Sequence, residues 1–125
     1  MSKNNLTILA VDDDIINLKL LKSMLKKSGI TKEVIEASNG SEAIGVLKSR
    51  DDIDIILLDI LMPIMGGIEM LKVVRADTNM PQLPIIVLTT DETKKYEALE
   101  IGANEFVTKP IRSEILINKI ESVLI

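Results

Sequence analysis

Short strand-length segments alternate along this chain with stretches of helical spacing. Leu6 to Val11, Val34 to Ala37, Ile55 to Leu58, Ile85 to Leu88 and Glu105 to Thr108 are predicted strands. The runs at 55–58 and 85–88 are apolar at every position, as suits strands buried on both faces of a parallel sheet. Between them, Ile15 to Ser28 carries Leu18, Leu21, Met24 and Leu25 on one side, with Lys19, Lys22, Lys26 and Lys27 mostly on the other. Gly29 stands where a C-terminal cap belongs. Ser38-Asn39-Gly40 turns the chain into a second helix, Ser41 to Lys48, with Ala43, Ile44 and Leu47 inward. Met62-Pro63 and Gly66-Gly67 force a turn before a third helix, from Ile68 to about Ala76. Thr78 to Leu83 reads as loop, Glu92 to Ile101 as a polar fourth helix closed by Gly102, and Ser113 as the N-cap of a fifth helix through Val123.

Strands alternating with helices imply βαβ units, right-handed crossovers and a parallel sheet covered on both faces. The predicted fold is a doubly wound α/β sandwich of the flavodoxin-like kind, (βα)5, with strand order 2-1-3-4-5. The whole chain, residues 1–125, reads as one domain without linker or low-complexity sequence.

Composition narrows the chemistry. Apolar residues make up 46%, with one Phe, one Tyr and no Trp, so the core is aliphatic. The absence of cysteine excludes disulfides, thiol catalysis and zinc-thiolate sites. The absence of histidine removes the usual general base and transition-metal ligand. A net charge of -4 argues against nucleic acid as a direct partner. No apolar run is long enough to span a membrane, and Met1 to Asn5 lacks a signal-peptide core, so a cytoplasmic protein is expected.

In a parallel sheet all strand carboxyl ends share one edge, where open α/β sheets bind ligands. Four of the five strands end there on polar groups: Asp12-Asp13-Asp14, Asp59, Thr89-Thr90 and Lys109. Clustered carboxylates raise one another's pKa unless charge compensates them. A hard cation such as Mg²⁺ does so, using oxygen ligands and retained waters. Asp59 is then a plausible nucleophile toward a phosphoryl group, with Thr89 and Lys109 as donors to its oxygens. Each residue has a structural reading as well. Asp12 to Asp14, Asp59 and Thr89 are helix-capping types, Lys109 alone would be a surface lysine, and Phe106 fits a core position.

Taken together, V-D-D-D at 11–14, L-L-D-I-L-M-P at 57–63, L-T-T at 88–90, G-A at 102–103 and F-V-T-K-P at 106–110 resemble the receiver domain of bacterial two-component response regulators. The resemblance covers nearly the whole chain. It implies that Asp59 is the phosphoacceptor for a histidine kinase or phosphotransfer histidine. Asp13, Asp59 and the backbone carbonyl of Leu61 would bind Mg²⁺, with Asp12 acting through water. Thr89 and Phe106 would form the switch, Lys109 would hold the phosphoryl group, and Lys109-Pro110 would be cis. By the same resemblance the chain catalyses only its own phosphorylation and dephosphorylation. It would signal to an effector through the face of the fourth helix, fifth strand and fifth helix, as a monomer or a phosphorylation-dependent homodimer.

Three departures stand out. Gly66 replaces the family's usual Asp or Asn, which is expected to loosen the loop beside Asp59. The segment from Thr89 to Gly102 is about two residues shorter than usual, and the sequence stops at Ile125 without an output domain, as expected either of a stand-alone regulator or of an excised part of a longer protein. Two rivals have features of their own. A haloacid-dehalogenase-like phosphatase would use Asp12 as nucleophile and Asp14 as general acid, and a receiver-like interaction module would work without phosphate.

Overall fold

A computed structural model of the chain describes residues 5–124. The signal-peptide reading of Met1 to Asn4 and the reading of the end at Ile125 lie outside the described residues. Strands β1 (Leu6–Val11), β2 (Thr31–Ala37), β3 (Ile55–Asp59), β4 (Ile85–Thr89) and β5 (Glu105–Thr108) alternate with helices α1 (Ile15–Ser28), α2 (Gly40–Ser49), α3 (Gly67–Ala76), α4 (Lys95–Ile101) and α5 (Ser113–Val123). All pairings are parallel, in the order β2-β1-β3-β4-β5.

β3 lies mid-sheet because its side chains have no polar face to offer water. Ile55, Ile56, Leu57 and Leu58 are wholly buried, as are Ile85 and Ile86 of β4. Alternation then splits the core in two. Leu9, Ile56, Leu58 and Val87 join Met70, Leu71 and Ala98 on the α2–α3–α4 side. Ile8, Leu57, Ile86 and Val107 join Leu21, Leu25, Leu116 and Ile120 on the α1–α5 side. The registers Val11 with Leu58, Asp59 with Leu88 and Thr89 with Thr108 bring the polar strand ends level along one edge.

Four expectations are corrected. β2 begins at Thr31 rather than Val34: it is an edge strand, so Lys32, Glu33 and Glu36 face water and hide the strand behind a polar pattern. The second helix runs one residue further at each end than Ser41 to Lys48, with Asn39 capping it by accepting from the Glu42 N–H. The fourth helix is split. Glu92–Lys94 form a 3-10 turn and only Lys95–Ile101 are α-helical. Ser113 is not an N-cap; Arg112 holds the extended cap position without a side-chain hydrogen bond, and Ser113 begins the helix.

Arg75 fastens the far end of α4. From α3 it donates to the Gly102 carbonyl at 3.0 Å, the Leu83 carbonyl at 2.7 Å and the Asn104 side chain at 3.1 Å. Asn104 in turn accepts from the Ile85 N–H, so one guanidinium joins α3, the end of α4 and the start of β4. Gly102 suits this contact: its φ of 134° favours glycine, and a Cβ there would stand 3.0 Å from the Arg75 side chain.

Two glycines give opposite expectations. A Cβ on Gly67 would overlap the Asp59 carbonyl oxygen and stand 2.8 Å from the Ile60 Cα, both of them backbone. Gly67→Ala is expected to cost about 2 kcal/mol or more. Gly45, exposed within α2 with nothing near its Cβ position, should gain about 0.5–1 kcal/mol as Gly45→Ala. Urea denaturation midpoints of the two variants check both signs.

Candidate functional site

Each side chain of the site is delivered by the end of a buried strand. β1 ends at Val11, and Asp12 turns inward, where its Oδ1 accepts from the Asp14 N–H at 2.9 Å. Asp13 points to solvent. Asp14 caps α1, accepting from the Ile16 N–H. Asp59 closes β3 and is only 8% exposed. Oxygens of Asp12, Asp13 and Asp59 all lie within 4.8 Å of one another. Lys109, just past β5, sets its Nζ 3.0 Å from Asp12 Oδ2 and 3.7 Å from Asp59 Oδ2.

The charges explain the arrangement. Burial raises the Asp59 pKa to about 6, against the nearby Lys109 ammonium, which lowers it; the Asp12 carboxylate raises it further, and the backbone N–H groups of Ile60 and Leu61 work against that. One ammonium faces three carboxyl groups, so the cluster has unmet need for positive charge. Its donors are all oxygen, with no histidine or cysteine in the chain, and this set fits a hard divalent cation rather than a soft one.

Thr89 ends β4 and is buried, 1% exposed. It does not cap the following turn, as Asp91 does so by accepting from the Thr93 N–H. The Thr89 hydroxyl instead accepts from the Asp91 N–H at 3.2 Å, and its carbonyl accepts from the Lys109 N–H at 2.8 Å. Phe106 is half-buried against the α2–α3–α4 core, opposite Val87 and so on the sheet face that Thr89 shares. Thr108 donates to Glu92 at 3.2 Å, tying the 3-10 turn to β5. The Lys109-Pro110 bond is cis.

Gly66 lies in the loop that follows Asp59. It occupies the N-cap position of α3 and supplies no side-chain cap, but backbone hydrogen bonds hold the loop. Gly67 N–H donates to the Ile60 carbonyl at 2.9 Å, and Gly40 N–H donates to the Met65 carbonyl at 2.8 Å. Met62 and Met65 pack on the core, and Met70 is wholly buried. Asp14 is spent on capping and stands apart from the acid cluster, which removes the general acid of the phosphatase reading.

Sequence reasoning missed two features of this edge. A groove of about 600 Å³ opens beside Asp12 and Lys109, bordered by Leu20, Met24, Pro110 and Ile111. Ile15, Ile16, Leu20, Leu61 and Ile64 are all largely exposed nearby in sequence to the acids. The available signal was apolar residues off the inward stripe of the first helix and in the loop after Asp59.

Residues 8–121 match the family described as the response regulator receiver domain. A CheY chemotaxis protein homologue of Campylobacter jejuni is 35% identical over 119 residues, covering 94% of this chain and 91% of its own length. Among solved structures, chemotaxis protein CheY4 of Vibrio cholerae is 34% identical with a TM-score of 0.84, covering 96% of this chain and 99% of that one. The receiver domain of a sensor histidine kinase from Pseudomonas aeruginosa, solved with magnesium coordinated in its active site cleft, is 26% identical with a TM-score of 0.83, covering 96% and 98%.

The raised Asp59 pKa sets a stability prediction. The folded chain holds this proton more tightly than the unfolded chain, so its contribution is fully present below about pH 4 and is lost as pH rises through about 6. Asp59→Asn removes the penalty. In EDTA the variant should be more stable than wild type by about 2 kcal/mol near pH 8 and no more stable near pH 4. Urea unfolding at the two pH values checks the crossover.

Proposed function

Since the chain belongs to the response regulator receiver family, the phosphorylation-activated signalling switches of CheY type, we propose that Asp59 is its phosphoacceptor. The observation that carries this reading is the meeting of Asp12, Asp13, Asp59 and Lys109, from three strand ends, within reach of one phosphoryl group. With a pKa of about 6, Asp59 is mostly ionised at neutral pH and available as nucleophile. Its Oδ forms the new bond to phosphorus as the donor's N–P bond breaks. The donor imidazole keeps that electron pair and takes up a proton. An acyl phosphate results, and water reverses the modification.

Mg²⁺ suits the oxygen donors. Asp13, Asp59 and the Leu61 carbonyl would hold it directly, and Asp12 through water. Bound there it would neutralise charge on the transferring phosphoryl group. The magnesium in the cleft of the Pseudomonas receiver domain supports this assignment. Lys109 would pair with a phosphoryl oxygen, and the Thr89 hydroxyl would donate to another. The chain is not a metabolic enzyme; its only catalysis would be on itself.

Phosphorylation adds roughly two negative charges at Asp59. Thr89 closing on them would vacate space for Phe106 to turn inward, altering the α4–β5–α5 face offered to an effector. Moving such an equilibrium from 1:99 to 99:1 takes about 5.5 kcal/mol of differential interaction. We read the whole chain as one cytoplasmic receiver domain. It takes its phosphoryl group from a histidine kinase or phosphotransfer protein, binds no nucleic acid, and works as a monomer or as a homodimer formed on phosphorylation. No described helix is long and apolar enough to cross a membrane.

Intact-mass measurement after incubation with acetyl phosphate and Mg²⁺ tests the assignment. Wild type should gain one phosphoryl group, Asp59→Asn should gain none, and EDTA should abolish the gain. Labelling that survives either change overturns the corresponding role. For the switch, Tyr96 is the one tyrosine, there is no tryptophan, and it sits exposed on α4. Beryllium fluoride with Mg²⁺ should change Tyr96 emission in wild type and leave it unchanged in Thr89→Ala.

A further inference from the structure

One motif takes no part in the acid site. Asn39-Gly40 is the single place in the chain where asparagine precedes glycine. In a flexible peptide this pair is chemically labile. The glycine nitrogen loses its proton and attacks the side-chain carbonyl carbon of asparagine, ammonia leaves, and a five-membered succinimide forms. Water then opens the ring at either carbonyl, to aspartate or to isoaspartate. No cofactor is consumed, and glycine favours the step because no Cβ hinders its nitrogen.

The fold opposes each part of this reaction. Gly40 is buried, and its N–H donates to the Met65 carbonyl at 2.8 Å, so the nitrogen is not free to attack. Asn39 has an extended ψ of 173°, whereas ring closure needs the Gly40 nitrogen brought round beside the Asn39 Cβ. The Asn39 side-chain oxygen accepts from the Glu42 N–H at 2.9 Å, and Glu42 in turn accepts from the Ser38 hydroxyl at 2.9 Å. Asn39 is itself only half-buried, so water is at hand once the backbone is released.

The three holds are not equally firm. The Met65 carbonyl belongs to the loop after Asp59, where Ile64 takes a φ of +68° and the Met65 N–H donates to the Pro63 carbonyl at 2.7 Å. A turn of that kind is strained, and more so around a β-branched residue. The helix start rests directly on this loop: a Cβ on Gly40 would stand 2.7 Å from Met65 Cγ and 2.9 Å from the Met65 carbonyl oxygen. Local opening of a strained surface loop needs less than global unfolding, and it frees the Gly40 nitrogen first.

We propose that Asn39 is a modification site, deamidated to aspartate or isoaspartate at a rate gated by the loop after Asp59 through the Gly40–Met65 hydrogen bond. The chemistry needs neither a phosphoryl group nor an ion at Asp59. The two products differ in consequence. Aspartate keeps an oxygen in the cap position of α2. Isoaspartate carries the main chain through the side-chain carbon, which lengthens the backbone by one CH₂ and takes away the cap. An opening of the loop thereby leaves a permanent mark on the start of α2.

The test follows peptide 33–48, released by trypsin, in full chain held in mildly alkaline buffer. Mass spectrometry scores deamidation, and enzymatic carboxyl methylation identifies isoaspartate. Asn39 should react at least tenfold faster in wild type unfolded by guanidinium than in folded wild type. Met65→Ala should speed the folded reaction fivefold or more by loosening the loop. Ile64→Asn should slow it twofold or more, because asparagine accepts the positive φ. Ile120→Val thins the core on the other face of the sheet, lowers stability without touching the gate, and should stay within twofold of wild type. Denaturation midpoints show which variants are folded; if Met65→Ala is not, Ile64→Asn and Ile120→Val decide. A folded wild type that reacts as fast as the unfolded chain overturns the proposal, as does an unchanged rate in folded Met65→Ala or in Ile64→Asn. Rates that follow the midpoints through Ile120→Val as well place the reaction in global unfolding, and that overturns the gate.

Discussion

Two carboxylates buried at the ends of adjacent strands, with a third at the surface and one ammonium between them, set the terms for everything above the sheet. Asp12 and Asp59 would be costly in such a place without Lys109, whose Nζ reaches both. Even so, burial leaves Asp59 with a pKa near 6, which marks the compensation as incomplete. A site balanced in that way responds to any change of charge, whether an ion arriving or a phosphoryl group attaching. The aliphatic core keeps the imbalance from relaxing. With Ile55 to Leu58 and Ile85 to Ile86 wholly buried, the strand ends cannot slide apart without exposing the centre of the protein.

The same division between rigid sheet and thin upper edge would, under the proposed reading, give the site a way to report its state. The far end of α4 is fixed by Arg75 through the Gly102 carbonyl. Its near end follows a 3-10 turn that begins three residues after Thr89, capped by Asp91 and tied to β5 by the Glu92–Thr108 hydrogen bond. Backbone hydrogen bonds at such an edge are few and exposed, so local rearrangement there costs less than in the sheet. A displacement at Thr89 therefore acts on one end of a short helix whose other end is held.

Much of this was legible because parallel strands buried on both faces leave a plain mark in sequence: an apolar run stopped by a polar residue. That mark located Asp12, Asp59, Thr89 and Lys109, and alternation with helices was enough to put them on one edge. β2 was read too short because an edge strand has one wet side, and its polar residues resemble loop. The 3-10 turn before α4 was invisible because i→i+3 and i→i+4 spacings differ little over three residues. The Arg75 contacts join groups up to 29 positions apart, and nothing local announces them. The positive φ of Ile64 was hidden for the opposite reason: the residue type argues against it, and only the backbone reveals it.

That last mismatch bears on how the loop after Asp59 is built. Gly66 withholds the side-chain cap that an Asp or Asn would give α3, and a Cβ there would stand 3.1 Å from the Ile60 carbonyl oxygen, tight but not impossible. The loop compensates through its backbone, with Gly67 bonded to Ile60, Met65 to Pro63 and Gly40 to Met65. With the turn held through the main chain, Met62 and Met65 are left to pack on the core while Ile64 between them faces water.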